Sequence, residues 1–142
     1  MIKLAEALEA SAQPRRPWGA PEFATDGRRV LLVDDDPVLL ALLELGLERD
    51  GFELTLADDP MVALELIERS SPRFGVLVTD STMPRMSGLE LARSARKLDP
   101  SIGIILHSGA DHEADPNIDV RVQKGADLSH LSRALTLLFD QP

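Results

Sequence analysis

An open parallel α/β sheet covered by helices on both faces is the fold class the sequence predicts, on three observations. Apolar runs rich in Val, Leu and Ile recur at residues 30–33, 76–78 and 102–106, each long enough for a strand buried on both faces and short for a helix. The stretches between them carry helix punctuation: Asp36-Pro37 and Asp59-Pro60 read as an N-cap followed by the first helical position, and Gly51 as a stop. Each of these runs also leads into polar residues at its end. Strands alternating with helices imply right-handed crossovers, which place helices on both sides of one sheet.

Taken in order, residues 1–28 begin with a possible apolar face, Ile2, Leu4, Ala5 and Leu8, which Pro14, Pro17, Gly19 and Pro21 prevent from extending. The chain therefore divides into a short helix with a linker over 1–28 and one folded domain over 29–140. In that domain Val30-Leu31-Leu32-Val33 forms a buried strand ending in Asp34-Asp35-Asp36, with Asp36 capping a helix from Pro37 to about Asp50. A strand over 52–57 and a helix over 60–69 repeat the unit. The third strand, Val76-Leu77-Val78-Thr79-Asp80, ends in a carboxylate and is followed by a loop and a helix over 88–98. Residues 102–107 form strand four, running into Ser108-Gly109. The connection over 110–117 is too short and too interrupted by Pro and Asp for a full helix, so a helix there is one turn or absent. Residues 118–123 alternate as strand five up to Lys124, and 127–139 close the domain as an amphipathic helix with Leu128, Leu131, Leu135 and Leu138 on one face. Five such strands make a flavodoxin-like three-layer sandwich.

Composition narrows the chemistry. The 142 residues suffice for one domain with a full core. No apolar run approaches the roughly 20 residues of a membrane helix, and the N-terminus does not read as a secretory signal, so a cytoplasmic location is expected. There is no Cys and there are three His, which removes disulfides, thiolate metal sites and cysteine nucleophiles. The net charge is −9, and residues 1–29 hold five basic against four acidic side chains, leaving ten basic and twenty acidic beyond them. Such a surface repels phosphate backbones, so direct nucleic-acid binding is not expected.

Ligands in open parallel sheets bind at the carboxyl ends of the strands. On that edge the sequence places Asp34 and Asp35, Asp80, Ser108 and Lys124. Each alone has an ordinary explanation; together they define a site. Clustered carboxylates repel unless a cation neutralises them, and an all-oxygen donor set suits Mg²⁺ or Mn²⁺, which keeps positions open for a phosphoryl group. Phosphoryl transfer needs little beyond positioning and charge neutralisation, which the cation, Lys124 and the Ser108 hydroxyl would supply. His107, His112 and His130 read as packing or solvated residues, and Met83 and Met86 as gap fillers.

Residues 29–140 resemble a response-regulator receiver domain of two-component signalling. The resemblance is carried by Val30-Leu31-Leu32-Val33-Asp34-Asp35-Asp36-Pro37, Val78-Thr79-Asp80-Ser81-Thr82-Met83-Pro84 with Gly88, Ile105-Leu106-His107-Ser108-Gly109, and Lys124. It implies strand order 2-1-3-4-5 and a phosphoacceptor at Asp80, loaded from a sensor histidine kinase or a histidine phosphotransfer protein with Mg²⁺. It further implies that Asp35 is a direct metal ligand, that Asp34 acts partly through water, that Asp80 contributes and that Thr82 offers its backbone carbonyl. Ser108 would be the switch hydroxyl and Lys124 the phosphate-pairing ammonium. The protein would catalyse its own phosphorylation and slow dephosphorylation without being a turnover enzyme, alter protein contacts, and be a monomer or weak homodimer. Two features depart from the family pattern: Arg121 stands where an aromatic is usual, and Gly125 where Pro is common.

Two other readings remain open on the residues alone. Asp34-Asp35-Asp36 also fits the Asp-x-Asp of a haloacid-dehalogenase-type phosphohydrolase, with Asp34 as nucleophile and no role for Asp80. A phosphorylation-independent pseudo-receiver that only docks partners would keep the carboxylates and lose the switch.

Overall fold

The computed structural model describes residues 28–70, 73–109 and 114–140. Five parallel strands, β1 (Arg29–Val33), β2 (Glu53–Ala57), β3 (Val76–Asp80), β4 (Gly103–Ser108) and β5 (Val120–Gln123), form one sheet in the order β2-β1-β3-β4-β5. Among the described residues four helices accompany them: α1 (Pro37–Arg49), α2 (Pro60–Arg69), α3 (Gly88–Leu98) and α4 (Leu128–Phe139). The flavodoxin-like architecture and strand order are as expected. The short helix and linker placed at 1–28 lie outside the described residues, except Arg28.

The two-sided burial of β1 follows from its side-chain alternation. Val30 and Leu32 face a core shared with Leu40, Leu43 and Leu47 of α1 and Leu131 and Leu135 of α4. Leu31 and Val33 face the opposite core, with Ala63 and Leu66 of α2 and Leu91, Ala92 and Ala95 of α3. Each fully buried Leu contributes roughly 1.5–3 kcal/mol of transfer free energy, so a continuous apolar strand is stable only when helices cover both faces. Leu128 and Leu138 of α4 lie partly buried against the first core.

Helix starts sit where their caps put them. Asp36 accepts from the Val38 and Leu39 N–H groups at 3.0 and 3.3 Å, Asp59 from Met61 at 2.7 Å, and Asp127 from Ser129 at 3.1 Å. The start of α3 carries a capping box that the sequence reading missed: Ser87 Oγ accepts from Glu90 N, and a Glu90 carboxylate oxygen accepts from Ser87 N. Strand boundaries differ from expectation by one or two residues. Phe52 N–H closes the end of α1 on the Leu47 carbonyl, so β2 starts one residue later, and β4 runs one residue further, through Ser108. Strand β5 begins at Val120, not Ile118, because Asn117 and Ile118 N–H groups turn back onto Asp115.

Between β4 and β5 the described residues, 109 and 114–119, contain a turn and no helix. Helix α3 holds this segment instead. Arg96 donates to the Ile102 carbonyl at 2.7 Å, the Asn117 carbonyl at 3.0 Å and Asp119 Oδ2 at 3.1 Å, and Arg93 reaches Asp115 Oδ2 at 3.1 Å. Asp119 Oδ2 in turn accepts from Ile104 N at 2.8 Å, continuing the edge of β4. Because Arg96 satisfies two backbone carbonyls and a carboxylate, Arg96→Ala is expected to cost about 1–3 kcal/mol. The more exposed Arg93 pair is expected to matter by less than about 1 kcal/mol when Arg93 is changed to Ala; urea unfolding of the two variants measures both.

Candidate functional site

Asp34 and Asp35 follow β1 directly and Asp80 is the last residue of β3, and the pairing of these adjacent parallel strands brings their ends together. One carboxylate oxygen from each of Asp34, Asp35 and Asp80 lies within 4.8 Å of the others. Asp34 and Asp80 are buried and Asp35 is exposed. Asp34 is oriented by the Asp36 N–H, which donates to Oδ1 at 2.9 Å, while Asp34 N–H extends the β2 ladder onto the Ala57 carbonyl at 3.2 Å. Asp36 itself caps α1, as expected, and is not part of the cluster.

Lys124 enters from the end of β5. Its backbone N–H donates to the Ser108 carbonyl at 2.8 Å, and its Nζ lies 2.8 Å from Asp34 Oδ2 and 3.0 Å from Asp80 Oδ1. Burial disfavours the ammonium, but the bonds and charges of Asp34 and Asp80 outweigh that and raise its pKa, so Lys124 is charged at neutral pH. Gly125 has φ +86°, which no Pro can adopt. The turn carrying Lys124 is thus built differently from one closed by Pro. Apart from the Lys124 ammonium at 2.8 Å, no described donor reaches the buried Asp34 Oδ2, which keeps lone-pair capacity for a cation. Three carboxylates against one ammonium, all hard oxygen donors, fit a small divalent ion.

The loop after β3 shapes the remaining side of the site. Ser81 N–H donates to Asp80 Oδ1 at 2.8 Å, so both described contacts of the Asp80 carboxylate fall on Oδ1. The loop returns to Gly88, whose N–H bonds the Ser81 carbonyl at 2.9 Å; a Cβ on Gly88 would lie 2.0 Å from the Asp80 carbonyl oxygen, so only Gly fits. Arg85, at φ +73°, ion-pairs with Asp59, tying the loop to the start of α2. Thr82 is exposed in this loop. Ser108 is buried at the end of β4, and its Oγ lies 2.8 Å from Ser81 Oγ. That pairing was not foreseen. It follows from the β3–β4 register, which matches Asp80 with His107 and so sets their next residues side by side.

The sequence model of the response regulator receiver domain matches residues 30–129, and the chain belongs to this family. It is 37% identical over 82 residues to the response regulator receiver protein CpdR of Brucella abortus (strain 2308), covering 58% of this chain and 67% of that protein. Among solved structures it is similar to the Thermotoga maritima response regulator TrrA in complex with Mg²⁺–BeF, at 30% identity and TM-score 0.71, covering 78% of this chain and 98% of that one. It is similarly related to the structure of TrrA with the histidine kinase ThkA, at 29% identity and TM-score 0.71, covering 78% and 97%. The chain is a phosphoacceptor signalling domain of two-component systems, not a conventional turnover enzyme. Among the described residues, no helix is long and apolar enough to cross a membrane.

His107 is a packing residue, as expected, but one placed at the site. It is buried beside Val122 of β5 and opposite Asp80 of β3. Burial, and then the Lys124 charge, lower its pKa below 6.5, with Asp34 and Asp80 pulling weakly the other way. A depressed folded-state pKa means that the unfolded chain takes up a proton the folded chain refuses. The His107 contribution to stability is therefore full above about pH 6.5 and is lost as pH drops below that value toward the folded pKa. The urea midpoint of His107→Gln is expected to fall less than wild type between pH 7 and 5.5; parallel curves would show that His107 is not the group responsible.

Proposed function

We infer that Asp80 accepts the phosphoryl group, with Asp34, Asp35 and the Thr82 carbonyl holding Mg²⁺, and Lys124 and Ser108 answering the phosphoryl oxygens. The observation that carries this reading is the Lys124 ammonium set between Asp34 and Asp80, with both described Asp80 contacts on Oδ1. Oδ2 is then the atom with lone pairs for attack. Its pair forms the new P–O bond as the P–N bond of a phosphohistidine breaks, and the imidazole nitrogen leaves with that bonding pair, neutral when the other ring nitrogen carries the proton. A bound Mg²⁺ would supply positive charge opposite the phosphoryl oxygens. The Lys124 ammonium, already at Asp80, would pair with an oxygen of the transferred group, and the Ser108 hydroxyl would donate to another. The haloacid-dehalogenase reading leaves Asp80 idle, which its ion pair with Lys124 does not support.

The partner reading is a sensor histidine kinase or a histidine phosphotransfer protein. Helix α1 starts at the acidic cluster and exposes Val38, Leu42 and Leu45, at 67%, 61% and 56%, in one row at i, i+4 and i+7. A helix bringing a phosphohistidine to Asp80 would cover that row. Output is by changed protein contacts from a cytoplasmic monomer or weak homodimer, without direct nucleic-acid binding, and the aspartyl phosphate hydrolyses slowly. The domain spans residues 29–140.

Incubation with Mg²⁺ and acetyl phosphate followed by intact-mass measurement tests the reading. Wild type is expected to gain one phosphoryl group, and Asp80→Asn or removal of Mg²⁺ to abolish the gain. No gain by folded wild type would favour the docking-only module. Steady phosphate release by both proteins would favour the phosphohydrolase.

A further inference from the structure

We propose that Ser81 is a positioning residue that holds the Ser108 hydroxyl in the unphosphorylated protein, so that a phosphoryl group on Asp80 must draw Ser108 away from it. This rests on the reading of Asp80 as acceptor and Ser108 as the hydroxyl that answers it. The two Oγ atoms lie 2.8 Å apart, the preferred separation of an O–H···O bond. Ser108 is buried and Ser81 half-buried, so water competes weakly for the pair.

Each Ser hydroxyl has one proton. If Ser108 donates to Ser81, it cannot donate to a phosphoryl oxygen at the same time; if Ser81 donates, the Ser108 oxygen is still held at Ser81's side. In both senses the bond to Ser81 opposes movement of Ser108 toward Asp80. A phosphoryl oxygen is a charged acceptor and bonds a hydroxyl about twice as strongly as a neutral partner does, so it wins the competition with a reduced margin. The latch is also coupled to the reacting carboxylate, because the Ser81 N–H donates to Asp80 Oδ1 at 2.8 Å. Ser81→Ala keeps that N–H and removes only the hydroxyl.

Binding of beryllofluoride with Mg²⁺ to the full chain, followed by amide resonances, tests the latch against the Ser108→Ala background. Ser81→Ala is expected to tighten beryllofluoride binding about 2- to 10-fold, the worth of one hydrogen bond, and to leave Mg²⁺ affinity in the absence of beryllofluoride unchanged. In Ser108→Ala the same substitution is expected to have no effect, since the partner is already gone. Weaker or unchanged binding by Ser81→Ala, an equal effect without the Ser108 hydroxyl, or a parallel change in Mg²⁺ affinity would overturn the latch while leaving the phosphoacceptor reading intact. Wild type that binds no beryllofluoride and takes no phosphoryl group from acetyl phosphate would overturn both.

Discussion

The ammonium of Lys124 between Asp34 and Asp80 is the interaction on which the rest of the site depends. Two buried carboxylates at adjacent strand ends repel each other and lose hydration, and neither is stable there without a compensating charge. Parallel pairing supplies the geometry at small cost: β1 and β3 run side by side, so their carboxyl ends coincide, while β5, three strands along from β1 and two from β3, ends where the Lys124 side chain spans the gap. The bond from Lys124 N–H to the Ser108 carbonyl fixes the root of that side chain to the end of β4. Removal of Lys124 would leave a buried charge pair of one sign, which explains why a long cation stands at this turn.

The second constraint is the tight return of the loop after β3. Gly88 must approach the Asp80 carbonyl closely, and the loop is pinned at Asp59 by Arg85 and at the start of α3 by the Ser87–Glu90 capping box. The consequence is a short rigid frame around Asp80 in which few groups are free to respond to a new charge. The Ser81–Ser108 hydroxyl pair lies at the edge of that frame. Residues 117 and 119, just before β5, are held to α3 by Arg96 through one carbonyl and one carboxylate.

Much of this was legible in the sequence because the signals are local. Asp-Pro pairs, a strand end and an apolar run each report on a few neighbouring residues, and they located four helices and five strands to within two residues. Asp34, Asp35, Asp80, Ser108 and Lys124 could be gathered at one edge because each ends a strand of a parallel sheet. What stayed hidden depends on register and on long side chains. That Ser81 faces Ser108 follows only from which residues of β3 and β4 are opposed. The reach of Arg96 to residues 21 and 23 positions away has no sequence signature. The start of β5 was misplaced because Asp115 gathers the following N–H groups into a turn, and the environment of His107 depends on the charges of three other strand ends. The Ser87-x-x-Glu90 box, by contrast, was visible and was overlooked.

Locating the phosphoryl group chemically would test the central claim most directly. After treatment with acetyl phosphate and Mg²⁺, borohydride reduction converts an aspartyl phosphate to an alcohol that fragmentation mass spectrometry assigns to a position in the chain. Reduction at Asp80 alone is the result this account requires. Reduction at Asp34 or Asp35 would contradict it, since the carboxylates assigned to charge and metal binding would then be the ones that react.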